Sequence, residues 1–197
     1  MSGDALALDA RKGLPANLRA LVQRYPRETW DAHPNLGQTA RFWLQRHDMF
    51  RELGATLIDA LGERRDAMET GAGDDAPGFV RFFAPRLQLF LSELDTHHRI
   101  EDHHYFPLFR AAEAGLAHGF DLLDSDHHVI HEAIERNAES ANAMLRALGS
   151  TREKGAAARH AEETDAMVRL LLRHLEDEED LIVPIILDRT EHGLGIG

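Results

Sequence analysis

The chain has 197 residues, no cysteine, 13 histidines and a formal net charge of −12, from 22 Lys and Arg against 34 Asp and Glu. The missing cysteines exclude disulfides, iron–sulfur ligation and thiol catalysis, leaving nitrogen and oxygen as the strong metal donors. The negative balance, with no basic run to offset it, argues against nucleic acid or an anionic membrane as partner. At 43% hydrophobic residues the chain fits one domain with a real core. No run approaches a membrane span, and "MSGDALALDARKG" lacks the basic start and apolar run of a secretory signal, so a cytoplasmic protein is expected.

The first predicted element is a short helix over residues 4–24. After it comes "YPRETWDAHPNLG" (25–37), whose prolines, Trp30 and glycine predict an ordered loop, so residues 1–35 read as an N-terminal extension packing on a helical bundle. Apolar residues then recur at three and four spacing in four blocks, predicting helices at about 36–68, 78–114, 119–149 and 153–188, with almost no period-two alternation. The linkers "GAGDDAPG", "EAGLAHG" and "LGSTREKG" are short, which favours antiparallel neighbours. The expected fold is therefore all-α, an up-down-up-down four-helix bundle over residues 36–188. The end of the chain, residues 189–197 with "EHGLGIG", reads as a flexible, frayed tail.

Each helix has an apolar stripe, and each stripe is interrupted by histidine. The first runs Trp43, His47, Phe50, Gly54, Leu57; the second Leu87, Phe90, Leu94, His97, Glu101, Leu108. The third runs Phe120, Leu123, His127, Ile130 or His131, Ile134; the fourth Met167, Leu170 or Leu171, His174, Glu178, Leu181. Residues at i and i+4 project toward one point, so His97/Glu101, His127/His131 and His174/Glu178 each present two donors. Such spacing is weak evidence alone: chance gives about three pairs of this kind here, and the chain has six. Depth carries more. In an up-down-up-down bundle His47, His97, His131 and His174 all fall about 30 Å from the same end, in one layer. His97-x3-Glu101-x5-Pro107 and His174-x3-Glu178-x5-Pro184 also share one spacing, which suggests pseudo-twofold construction around a common centre.

Burying five histidines and two carboxylates together is costly without a partner, and a metal removes the conflict. Imidazole with carboxylate suits iron or manganese in octahedral geometry, and seven donors exceed one tetrahedral zinc. Two octahedral ions offer twelve positions. Five histidines, two bridging carboxylates and a bridging oxygen leave one position open, suited to dioxygen, peroxide or nitric oxide.

The chain resembles the hemerythrin-like, HHE cation-binding domain family through "HDMFR" (47–51), "HHRIEDHHYFP" (97–107), "DHHVIH" (126–131) and "HLEDEEDLIVP" (174–184). The resemblance implies a non-haem di-iron centre with His47, His97, Glu101, His127, His131, His174 and Glu178 as ligands, both glutamates bridging, and an oxo or hydroxo bridge. It implies binding of a small oxidant, in the roles of oxygen, nitric oxide or iron binding, storage or sensing; the alternative is a di-iron enzyme that decomposes hydrogen peroxide. Glu179 is a second candidate for the last acid. His98 could be an eighth ligand or form its own pair with Asp102. His104 and Tyr105 read as groups that hydrogen-bond near the site and could deliver protons, Trp43 as packing, His103 and His128 as solvated, and His33, His118, His160 and His192 as ordinary. Against ligation stand a polar core layer satisfied by hydrogen bonds and a zinc site.

Overall fold

The computed structural model describes residues 6–71 and 75–197, and every regular element among them is helical. These are α1 (Ala20–Arg24), α2 (Gln38–Thr70), α3 (Ala76–Ile100), α4 (Phe106–Ala112), α5 (Ala117–Ala147), α6 (Glu153–Arg189) and α7 (Glu191–Leu194), with short 3-10 turns in the N-terminal segment and before α5. No helix among the described residues is long and apolar enough to cross a membrane.

The helix expected over 78–114 is divided. After α3 comes a π-helical turn, Glu101–Tyr105, in which the Phe106 N–H donates to the Glu101 carbonyl, and then α4, with Pro107 in its first turn. A regular helix would carry the inward face from Glu101 to positions 105 and 108. The extra residue of the wider turn moves it to Phe106 and Phe109, which are buried, and leaves Leu108 only half-buried. By contrast α6 runs through Pro184 without a break.

Both ends of the chain differ from expectation. The helix predicted over 4–24 is reduced to a 3-10 turn at Ala16–Leu18 and the five residues of α1. Gly13, at φ +145°, and Pro15 interrupt what precedes them, and residues 1–5 lie outside the described residues. The tail is folded rather than frayed: α7 is capped by Thr190 and by left-handed Gly195, and Leu194 is buried. Glu191 Oε1 accepts from the Ala40 N–H at 2.8 Å, satisfying a donor in the first turn of α2. Gly37 makes room for that carboxylate, since a Cβ there would come within 2.1 Å of it.

The chain divides into two compact units. The first comprises residues 1–48, 97–129 and 170–197. Its core joins Leu14, Leu18, Trp30 and Leu36 of the N-terminal segment to Trp43, Phe106, Phe109, Phe120 and Leu123, and to Ile182, Ile185 and Ile186 of α6. α5 and α6 approach closely enough there that a Cβ on Gly119 would lie 2.8 Å from Leu181. The second unit, residues 49–96 and 130–169, buries Phe50, Leu57, Phe83, Phe90, Ile130, Met144 and Met167. Its polar content is concentrated in a buried Arg64–Glu153 ion pair and in a node where Ser140 meets His160 Nδ1 at 2.8 Å and Asn137 donates to Thr164 at 3.0 Å.

Candidate metal centre

The first unit gathers seven ligand-type side chains from its helical segments. His47 comes from α2, His97 and His98 from the last turn of α3, Glu101 from the first residue of the π turn, His127 from α5, and His174 and Glu178 from successive turns of α6. They form two groups: His47, His97, Glu101 and Glu178 in one, His98, His127 and His174 in the other. Within each group one donor atom per residue lies within 4.8 Å of all the others. His47 Nε2 faces His97 Nε2 at 3.1 Å, and His127 Nε2 faces His174 Nε2 at 3.1 Å. Each glutamate reaches both groups. Glu101 lies 2.9 Å from His97 Nε2 through Oε1 and 3.6 Å from His127 Nε2 through Oε2. Glu178 Oε2 lies 3.4 Å from His47 Nε2 and 3.4 Å from His174 Nε2.

The facing histidines can share a proton, but the glutamates' approaches are not hydrogen bonds. Both oxygens of Glu101, both of Glu178 and His98 Nε2 are buried with no hydrogen-bond partner, an arrangement that is expensive unless something else satisfies them. The outer ring nitrogens show which way the lone pairs point. His127 Nδ1 donates to Asp102 Oδ1 at 2.7 Å and His47 Nδ1 to Glu179 Oε1 at 2.9 Å, so Nε2 of each neutral ring carries a bare lone pair facing its group. The donors are imidazole and carboxylate alone, the set that suits iron or manganese. The residues present therefore fit metal cations.

Without a cation the groups conflict electrostatically. Burial pushes Glu101 up to about 8, toward its neutral acid. Burial likewise lowers His97 to about 4, and holds His98 well below the ordinary histidine range, with His127 and His174 adding repulsion. His174 goes the other way: burial opposes its charge, but Asp126 and Glu178 override this and raise it to about 10. Binding a cation at His174 therefore requires release of its proton.

His47, His97, Glu101, His127, His174 and Glu178 are brought together as expected, but His131 is not. It lies in the second unit with its side chain 56% exposed, between Asp95 and Glu135. The inward face of α5 steps from His127 by three to Ile130, which is fully buried, and the next residue is turned about 100° outward. His98 takes the fifth histidine place instead, its ring stacked 4.0 Å from that of His127. Asp102, a possible partner for His98, serves His127. Glu179, the alternative last acid, faces the outer nitrogen of His47 and belongs to neither group. Trp43 packs on Tyr105 and Phe109, with ring centroids 4.9 and 5.7 Å away. His104 is exposed, and His160 is fully buried in the second unit rather than ordinary. The inward position of His98 had a signal: adjacent residues 97 and 98 straddle the inward direction, so each can face a different group.

The family model described as hemerythrin HHE cation-binding domain matches residues 38–186. No curated protein and no solved structure matches the chain. The match spans α2 through most of α6 and includes all seven converging side chains, which form groups that could hold metal ions, and the chain belongs to the hemerythrin HHE cation-binding domain family.

Proposed function

We propose that this is a cytoplasmic, non-haem di-iron protein that binds a small oxidant such as dioxygen, peroxide or nitric oxide. His47 and His97 would hold one iron, His98, His127 and His174 the other, with Glu101 and Glu178 and an oxo or hydroxo group between them. The observation that carries this reading is the position of the two glutamates, each within reach of histidines from both groups and each with both oxygens buried and unpaired. An up-down-up-down bundle is supported within each unit. In the first, N-terminal parts of α2 and α5 meet C-terminal parts of α3 and α6; in the second the ends are reversed.

The two groups are unequal. In octahedral geometry the histidines, both glutamates and the bridge would fill the three-histidine ion, whereas the two-histidine ion would keep one position. A narrow cavity reaches His47, Glu178 and Glu179 on that side, walled by Trp43, Ala40, Leu44, Ile182, Val183 and Ile186, with room for about one water-sized molecule. Its largely apolar walls suit a small neutral molecule. The iron pair would supply the redox-active binding chemistry. His104 and Tyr105, expected as proton donors, do not line the cavity. Peroxide turnover needs a proton donor within reach; Glu179, the further acid lining the cavity, is engaged by Arg27 and His47, which favours binding, storage or sensing over decomposition.

Iron analysis and the visible spectrum of protein from iron-supplemented cells test the reading. Two irons per chain, and an absorption change of the diferric protein with azide, are expected. One tightly held zinc and no iron after anaerobic reconstitution would sink it. Oxygen release from hydrogen peroxide above the apo-protein control would move the assignment to the enzyme.

A further inference from the structure

The family match begins at residue 38, yet the segment before it sends two arginines toward the centre. Arg27 Nη1 donates to Glu179 Oε2 at 2.6 Å, and the other oxygen of that carboxylate accepts from His47 Nδ1 at 2.9 Å. The guanidinium is fixed on three more sides: Asp180 at 2.6 Å, the Glu176 carbonyl at 2.7 Å and the ring of Trp30, 4.9 Å away. Arg11 is buried and repeats the pattern on the other group. Its Nε donates to Asp177 at 2.6 Å, and its Nη1 and Nη2 grip both oxygens of Asp126. Asp126 Oδ2 in turn lies 3.4 Å from His174 Nδ1. Each group thus contains one histidine whose outer nitrogen faces a carboxylate held by an arginine from outside the matched domain.

We infer that Arg11 and Arg27 are positioning residues of the metal centre, through which the N-terminal segment sets the orientation and electron-donating power of His174 and His47. A carboxylate accepting from Nδ1–H locks the ring and makes Nε2 a stronger donor to a metal. An arginine on the same carboxylate draws its charge away and moderates that donation, while supplying the partner that a buried carboxylate requires. Asp102, which faces His127, is the contrast: its side chain is 27% exposed, so water can serve its remaining oxygen. The inference rests on the reading that the two groups hold metal.

Full-length iron-loaded wild type, R27Q, R27K and R11Q test it through iron content, iron loss to a competing chelator, midpoint potential and melting of each apo protein. R27Q should bind iron about tenfold more weakly, because Glu179 is no longer held where it locks the His47 ring and that loss of orientation outweighs the stronger donation, the scale seen for outer partners of metal ligands. Its midpoint potential should move negative, because Glu179 returns its charge to His47. R27K, which keeps the charge but not the planar fork, should restore part of the shift. R11Q should shift in the same direction; should it fail to fold, the Arg27 pair decides alone. R27Q with wild-type potential and affinity, even with a lowered apo melting temperature, overturns the inference and leaves the arginines as staples. Wild type that takes up no metal overturns the underlying reading, and this inference with it.

Discussion

His97-x3-Glu101-x5-Pro107 and His174-x3-Glu178-x5-Pro184 share one spacing and have different structures. Their likeness is in the acids. Glu101 and Glu178 each reach both groups, and the acid after each, Asp102 or Glu179, accepts from the outer nitrogen of a histidine on another helix, His127 or His47. Their difference lies in the neighbours. His98 follows His97 and joins a group; Leu175 follows His174 and packs in the core. The first segment opens into a π turn before its proline, and the second stays α-helical through Pro184. Asp126 and Glu178 raise His174, whereas His97 is lowered by burial. A repeated spacing places two glutamates alike between the groups, and on the proposed reading the inequalities around them decide which end is crowded and which is open.

The largest expected effect tests the symmetric part. Glu101→Ala and Glu178→Ala should each lose both irons, since each carboxylate serves both groups; retention of one iron in either variant would make that acid terminal. The next tests the unequal part: His98→Ala should lose at least one iron per chain, while His131→Ala should keep the wild-type content. The reverse pattern would put the inward face of α5 one residue further on. Glu179→Gln and Asp102→Asn should weaken iron binding by about ten- to a hundredfold. Glu179→Gln should be the more damaging, because it also deprives Arg27 of a partner; chelator competition ranks the two.

The smallest effect asks whether the unusual titration belongs to the centre or to buried histidines generally. His160, in the second unit, is lowered by burial to about 4 from 6.5. The folded state therefore resists the proton that the unfolded chain accepts. Stability is unaffected above pH 6.5 and falls as pH drops toward 4, by up to about 3 kcal/mol for the full shift. His160→Leu should narrow the acid sensitivity of the melting temperature over that window; equal pH dependence in both proteins would show that His160 is not a source of it.

The four long helices and the convergence of six of the seven expected side chains were legible because helical phase is read from spacing alone. The sequence pattern allows either Ile130 or His131 as the next inward residue of α5, and an i+4 pair favours histidine as readily as packing favours isoleucine. The structure decides it by burying Ile130. Leu108 leaves the inward stripe because the π turn adds a residue that a steady 3.6-residue period does not contain. The N-terminal segment and the tail read as periphery in the sequence because short elements give little periodicity; their order comes from distant partners such as Asp126 for Arg11 and Ala40 for Glu191.

The unpaired oxygens of Glu101 and Glu178 also bear on how the protein opens before metal arrives. Their desolvation is confined to the first unit, while the second is held by an apolar core with its arginine–glutamate pair satisfied and only Asn137 Oδ1 and His160 Nε2 buried without a partner among its described residues. Local opening follows the least stable cooperative segment. Amide protons of residues 97–129 and 170–189 should therefore exchange with deuterium earlier than those of 49–68 and 133–165 in the metal-free chain. Loading the centre should close that gap, so assembly would be a chelate-driven annealing of one unit in a chain whose other unit is already folded.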